Sequence, residues 1–178
     1  MKKIYRLLVF TLGIILIFSM AYYFINKLKS PVDIVKDFND TITLKEIVKE
    51  IDEDNKIKLI IWKDNNSDII VSILEKNNIN LWKVIGQCGV VPTNSNNIDQ
   101  FSYGKVFFRN TSNKDEGLFI GYINNIENYN ITKVTVNNKD ATIINDNKNY
   151  IWYSWGTFEY FNKEAIKIYR DDNIQINN

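Results

Sequence analysis

This 178-residue sequence predicts a mainly β (α+β) fold carried on an N-terminal transmembrane helix, and three observations carry the prediction. Leu7 to Ile25 is apolar or aromatic except for Thr11, Gly13 and Ser19, and holds no charge. From Lys56 onward, short β-branched and aromatic runs recur about every 8–12 residues between Asn- and Asp-rich turns. Between these regions, residues 30–54 place apolar side chains at helical spacing. The expected organisation is a cytoplasmic leader and anchor over 1–29, a juxtamembrane helical segment over 30–54, and an extracytoplasmic β-rich domain over 55–178. That domain reads as an antiparallel meander closed as a sandwich or barrel.

About 19 residues at 1.5 Å rise span roughly 29 Å, the depth of a bilayer's hydrocarbon core. Lys2, Lys3 and Arg6 precede the run, and Lys27 and Lys29 follow it. With the α-amino group, the leading side is the more positive, which predicts N-terminus inside and C-terminal domain outside. A cleaved signal peptide is the rival reading, because Ser19 and Ala21 have the −3/−1 spacing of a small-residue cleavage site. It would release the domain after Ala21. The run continues through Tyr22, Tyr23, Phe24 and Ile25, longer than a usual signal core, which favours a retained anchor. Cys88 is too distant to carry a lipid thioether next to the apolar run.

Charge is unevenly placed. Removing the five basic residues of 1–30 from the total of 22 leaves 17 against 21 acidic groups, a net of −4. A mildly acidic domain lacks the clustered positive charge that phosphate binding needs, so no nucleic-acid partner is expected. Asn (26) and Ile (29) are both abundant, as an AT-rich genome would produce. At that density the N-x-[ST] matches at Asn39, Asn65, Asn110 and Asn130 are expected by chance. Histidine is absent. Ser-His-Asp and Cys-His catalysis and His-based zinc sites are therefore excluded, and one Cys cannot build a thiolate site.

Ser30-Pro31 opens the next segment, with Asp33 completing a capping-box spacing ahead of Val32, Ile34, Val35 and Phe38. Thr43 and Glu46 repeat the box, and Leu44, Ile47, Val48 and Ile51 follow at i, i+3, i+4, i+7. One broken helix or two short ones over 31–52 are expected, packed on the sheet by their apolar face or turned to a partner. Strands follow at Ile57–Trp62, Ile69–Leu74 and Ile79–Ile85, with turns at Asp64–Asp68 and Asn77-Asn78. Gly86–Gln100 reads as the longest loop. Further strands read as Lys105–Arg109, Leu118–Ile123, Ile131–Val136, Ala141–Ile144, Tyr150–Trp155, Ala165–Tyr169 and Ile174–Ile176.

The order LIIWKDNNSDIIVSIL, LWKVIGQCG, GLFIGYINNIENYNITKVTV, DATII, NYIWYSW and AIKIYRDDN covers roughly residues 55–176. It resembles a group of small uncharacterised membrane-anchored or secreted proteins of low-GC Gram-positive bacteria. The group usually shows Gly-Trp-Lys where this chain has Leu81, Trp82 and Lys83. The resemblance implies a small β-rich extracytoplasmic domain and implies no activity.

Several groupings bear on chemistry. Asp64, Asn66 and Asp68 have the 1-3-5 spacing of a calcium loop and Glu75 falls at position 12, but Ile69 stands where Gly is needed, so a hairpin turn is the better reading. Glu46 with Glu50 and Asp171 with Asp172 are carboxylate pairs, read here as solvated charges on a helix face and in a turn. No Ser-Lys nucleophile motif is present. Sortases share the layout of an anchor, a β-barrel and one reactive Cys, but their chemistry needs a His. Cys88 reads as a small buried or loop thiol.

Tyr150, Trp152, Tyr153, Trp155, Phe158, Tyr160 and Phe161 form the densest aromatic segment. On a strand, Tyr150 and Trp152 point one way, and Ile151, Tyr153 and Trp155 the other. The segment is either a core strand or an exposed platform that stacks on wall sugars or a protein. Trp152, Trp155, Tyr153 and Trp82 are the candidate interaction residues, together with the loop Gly86–Gln100.

The function expected is a non-enzymatic, single-pass membrane protein whose outer domain binds a protein or cell-wall partner. The alternatives are an envelope-stress or immunity-type membrane protein and, less favoured, a Ser-Lys or carboxylate hydrolase. No cofactor and no metal are expected.

Overall fold

Helix α1 spans Lys2–Leu28, and its apolar side chains face outward. The stretch Lys3–Ile25 has a mean hydropathy of 2.3 and is nowhere buried by the rest of the protein. It is long and apolar enough to cross a membrane or to act as a signal sequence. The structure is a computed structural model that describes residues 2–39, 41–92, 101–109, 115–124, 129–147, 149–157, 163–171 and 174–176.

Two residues after α1, Ser30 caps helix α2 (Pro31–Phe38). The Ser30 hydroxyl accepts the Asp33 N–H at 3.2 Å, and the Asp33 carboxylate accepts the Ser30 N–H at 3.1 Å and its hydroxyl at 2.7 Å. This is the capping box the sequence predicts.

The second predicted helix is not one. Leu44–Asp52 forms strand β1, paired antiparallel with β2 (Ile57–Asp64). The helix-like spacing has a physical cause. Leu44 and Ile47 pack toward α2, whereas Val48 and Ile51 pack toward the middle of the domain. Irregularities in the register after Leu44 and after Ile47 break the strict two-residue alternation. A strand that serves two cores and carries bulges imitates the i, i+3, i+4, i+7 pattern. The boundary expected at residue 54 therefore falls between two hydrogen-bonded strands.

Strands β1, β2, β3 (Ile69–Lys76) and β4 (Trp82–Val90) make a first sheet in sequence order. Gly86–Val90, expected in a loop, completes β4 and pairs with Ile69–Ile73. Val91 and Pro92 follow without regular structure, and 93–100 lie outside the described residues. The middle sheet has the order β5 (Ser102–Arg109), β6 (Asp115–Ile123), β10 (Asn149–Thr157), β9 (Thr142–Asp146). The third has the order β12 (Ile174–Gln175), β11 (Ile166–Arg170), β7 (Ile131–Val136), β8 (Lys139–Asp140). All pairings are antiparallel, and each sheet is open rather than closed into a barrel.

The layers follow from which faces are buried. Leu59 and Ile61 of β2 join Val71 and Ile73 of β3, Leu118 and Ile120 of β6, and Ile151 and Tyr153 of β10 in one core between the first and middle sheets. Phe119, Ile123 and Trp152 point from the opposite face of the middle sheet to Val134, Val136, Ile166 and Ile168 of the third. Ile60, Trp62, Ile70 and Leu74 form the outer face of the first sheet and are covered by Val35 of α2. The order of layers is helix, sheet, sheet, sheet. Residues directly after β8 switch sheets: Ala141 still donates its N–H to Val134 O at 2.8 Å, and the chain continues as β9 of the middle sheet. Asn137 and Asn138, with φ of 52° and 63°, supply the left-handed turn that starts this hairpin.

Candidate functional site

Strand β10 places the aromatic residues singled out in the sequence. Alternation holds as expected: Trp152 with Tyr150 enters the core toward the third sheet, and Tyr153 and Trp155 face the first sheet. The platform reading of Trp152 and Tyr153 does not survive. Trp152 is 0% exposed and Tyr153 5% exposed, because the middle sheet is covered on both faces and both alternating sets become core. The Trp152 indole lies across Gly121 of β6, its direct cross-strand partner. A Cβ at Gly121 would stand 2.2 Å from Trp152 Cζ2, so only glycine leaves room for the ring. The Trp152 Nε1–H has no hydrogen-bond partner among the described residues. Burial pushes the Tyr153 phenol above its usual range, with the nearby Glu53 carboxylate adding to the rise and a hydrogen bond with Thr142 opposing it. Phe158, Tyr160 and Phe161 lie outside the described residues.

Trp155 and Trp82 are half-buried. Trp82, at the start of β4, packs against the α2 side of the first sheet, with the Lys76 ammonium 5.5 Å from its ring centroid. Trp155 packs at the edge of the core facing the first sheet and borders a cleft of about 240 Å³. Phe119, Ser154 and Gly156 line the cleft from the middle sheet, and Val136 with the turn residues Asn137, Asn138 and Lys139 line it from the third. It sits at the open end of the layer between those two sheets. Its walls combine an aromatic ring, a hydroxyl, two carboxamides and an ammonium, a mixture suited to a polar, neutral or anionic ligand.

A second cleft, about 290 Å³, is lined by Ile42, Asp64, Asp68, Ile70 and Gln87–Val91. It reaches the first residues of the loop expected to bind. Cys88 lies on it as a free thiol, and burial pushes its pKa up to about 12. A thiol held protonated at neutral pH is a poor nucleophile. The Asp64 carboxylate, nearly buried, accepts the backbone N–H groups of Asn66 at 2.8 Å and Asp68 at 2.9 Å. Ser67 at φ 67° closes the turn. The Asp64 carboxylate thus serves the β2–β3 hairpin, and the described residues contain no group of three or more His, Cys, Asp or Glu side chains placed to hold a metal ion.

The carboxylate pairs are separated by other work. Glu46 and Glu50 lie on strand β1 rather than on a helix, and Glu50 and Asp52 meet Lys58 at 3.5 and 2.9 Å. Asp171 accepts a hydrogen bond from the Asn130 amide at 2.6 Å, and Asp172 lies outside the described residues.

Sequence reasoning missed one polar contact between layers. Lys63 of β2 and Asp146 of β9 meet at 2.8 Å, with side chains only 17% and 11% exposed. Tyr122 is close enough that the Asp146 carboxylate, after burial itself, raises its phenol pKa. The partners are 83 positions apart, and no local pattern announces them.

No family model, curated protein or solved structure matches the chain.

Proposed function

We propose that this is a single-pass membrane protein, N-terminus inside, whose β-rich domain stands outside the membrane and binds a protein or cell-wall partner without catalysing a reaction. The observation that carries the anchor is α1: a long apolar helix that no part of the folded domain covers needs lipid around it. The excess of Lys2, Lys3 and Arg6 over Lys27 and Lys29 supports the orientation. For binding, the support is the cleft between Phe119, Ser154, Trp155 and the β7–β8 hairpin, where exposed Asn138 and Lys139 stand on a rigid turn. Of the described residues of the expected platform, Trp155 is the one that borders it.

A photo-crosslinking residue at Asn138 in living cells tests the reading, with Ile174, exposed elsewhere on the domain, as the control. A discrete protein or wall adduct from position 138, absent from 174, is the expected result. Identical patterns from both positions would remove the cleft from consideration. Orientation is tested separately by Asn138→Cys in a Cys88→Ser chain, labelled with a membrane-impermeant maleimide. Labelling of intact cells is expected, and labelling only after lysis reverses the topology.

A further inference from the structure

We infer that α2 is an interfacial helix that seats Phe38 in the headgroup region of a phospholipid bilayer, on the leaflet from which α1 emerges. The inference rests on α1 being a retained anchor, as proposed above. Single exposed apolar residues are ordinary on protein surfaces, so exposure of Phe38 alone carries nothing. Its position does. Only Lys29 and Ser30 separate α1 from α2. The Lys29 ammonium bonds the Asp37 carboxylate at 2.7 Å, which folds the last turn of α2 back beside the end of the span. Phe38 is the next residue and is 53% exposed, while Leu28, at the end of α1, is 84% exposed. The bridge thus holds two exposed apolar side chains within a few side-chain lengths of one another, at the level where α1 leaves the membrane.

The rest of α2 is already committed. Val35 is buried against Ile60, Trp62, Ile70 and Leu74, and Val32 and Ile34 pack beside it. The helix therefore presents one apolar flank to the sheet and leaves Phe38 off that contact. Lys27, Lys29 and Lys36 outnumber Asp33 and Asp37 over the same short stretch, so it keeps a net positive charge, as expected next to phosphate headgroups. An aromatic ring at the apolar–polar boundary with lysines around it is the composition an interface favours.

The test uses the full chain in bilayer nanodiscs of mixed zwitterionic and anionic phospholipid. A nitroxide is placed at Phe38→Cys or at Ile174→Cys in a Cys88→Ser background, and circular dichroism confirms that both chains are folded. The ratio of collision with molecular oxygen to collision with a water-soluble nickel complex should be several-fold higher at position 38 than at 174. Equal ratios, with the chain still floating with the nanodisc, overturn the interfacial placement and leave the anchor standing. A chain that separates from the bilayer, or whose mass shows cleavage after Ala21, overturns the anchor and this inference with it.

Discussion

Between the first and middle sheets the contact is mostly aliphatic and is closed at its rim by polar pairs; between the middle and third sheets it is built around one indole. The first interface gathers Leu59, Ile61, Ile69, Val71, Ile73, Leu118, Ile120 and Ile151, and is fastened by Lys63–Asp146 near one end and by Tyr153 with Glu53 near the other. The second has Trp152 lying across a glycine, with no partner for its Nε1–H among the described residues. The same middle strands supply both, so the difference comes from what each face meets. A core of many small contacts spreads a loss. A core organised on a few large rings, Trp152 foremost, concentrates it.

Breaking the indole core should have the largest effect. Trp152→Ala is expected to cost about 4 kcal/mol, the scale of a large aromatic removed from a core. Gly121→Ala should cost about 3 kcal/mol, because the new methyl group lands on the ring. The two effects should not add. Once Trp152 is alanine, Gly121→Ala should become nearly neutral, and a double-mutant cycle by denaturant unfolding reads the coupling. Additive losses would mean that the ring and the glycine do not share one space.

Next comes the polar rim. Lys63→Ala leaves Asp146 half-buried without its cation, at an expected cost of about 2 kcal/mol, below the range for fully buried pairs. Lys63→Ala with Asp146→Ala should recover part of that loss, since both charges are then gone. Ser72→Ala acts on the helix side of the first sheet. Its hydroxyl accepts from Trp62 Nε1 at 3.0 Å and from Gln87 Nε2 at 2.9 Å, so about 1–2 kcal/mol should be lost as both donors go unpaired.

Smallest in stability, and the sharpest discriminator, is the thiol of Cys88. It packs at the margin of the core between the first and middle sheets and so reports on that interface. With its pKa pushed up to about 12, alkylation of the native protein at pH 8 should run roughly 100-fold or more slower than in denaturant. Lys63→Ala should accelerate native alkylation more than a substitution of equal cost between the middle and third sheets, near Trp152. Equal acceleration would mean that the two interfaces open together.

Much of this was legible in the chain. Strong runs such as Leu59–Trp62 and Ile69–Leu74, each ending at an Asn- or Asp-rich turn, gave their strands, and the capping box at Ser30 gave α2. Residue alternation also placed Trp152 opposite Tyr153 correctly. It did not say that a further sheet covers each face, and that covering turned two candidate binding residues into core. Strand β1 was misread because its apolar residues are divided between two cores across bulges, which is a tertiary circumstance with a helical spacing. The Lys63–Asp146 pair was invisible for a simpler reason: nothing in either residue's neighbourhood depends on the other until the sheets stack. Of the candidate site, Trp155 and the residues after Gly86 reached clefts, while nothing local marked the β7–β8 hairpin that completes the first cleft.

The brevity of the join between α1 and α2 has a spatial consequence. About 150 residues in one compact body have a radius of gyration near 15 Å and a diameter of roughly 40 Å. Two intervening residues add less than about 8 Å of tether. On the proposed reading of α1 as a retained anchor, the domain would reach only one protein diameter beyond the bilayer, and a partner would have to come within that shell.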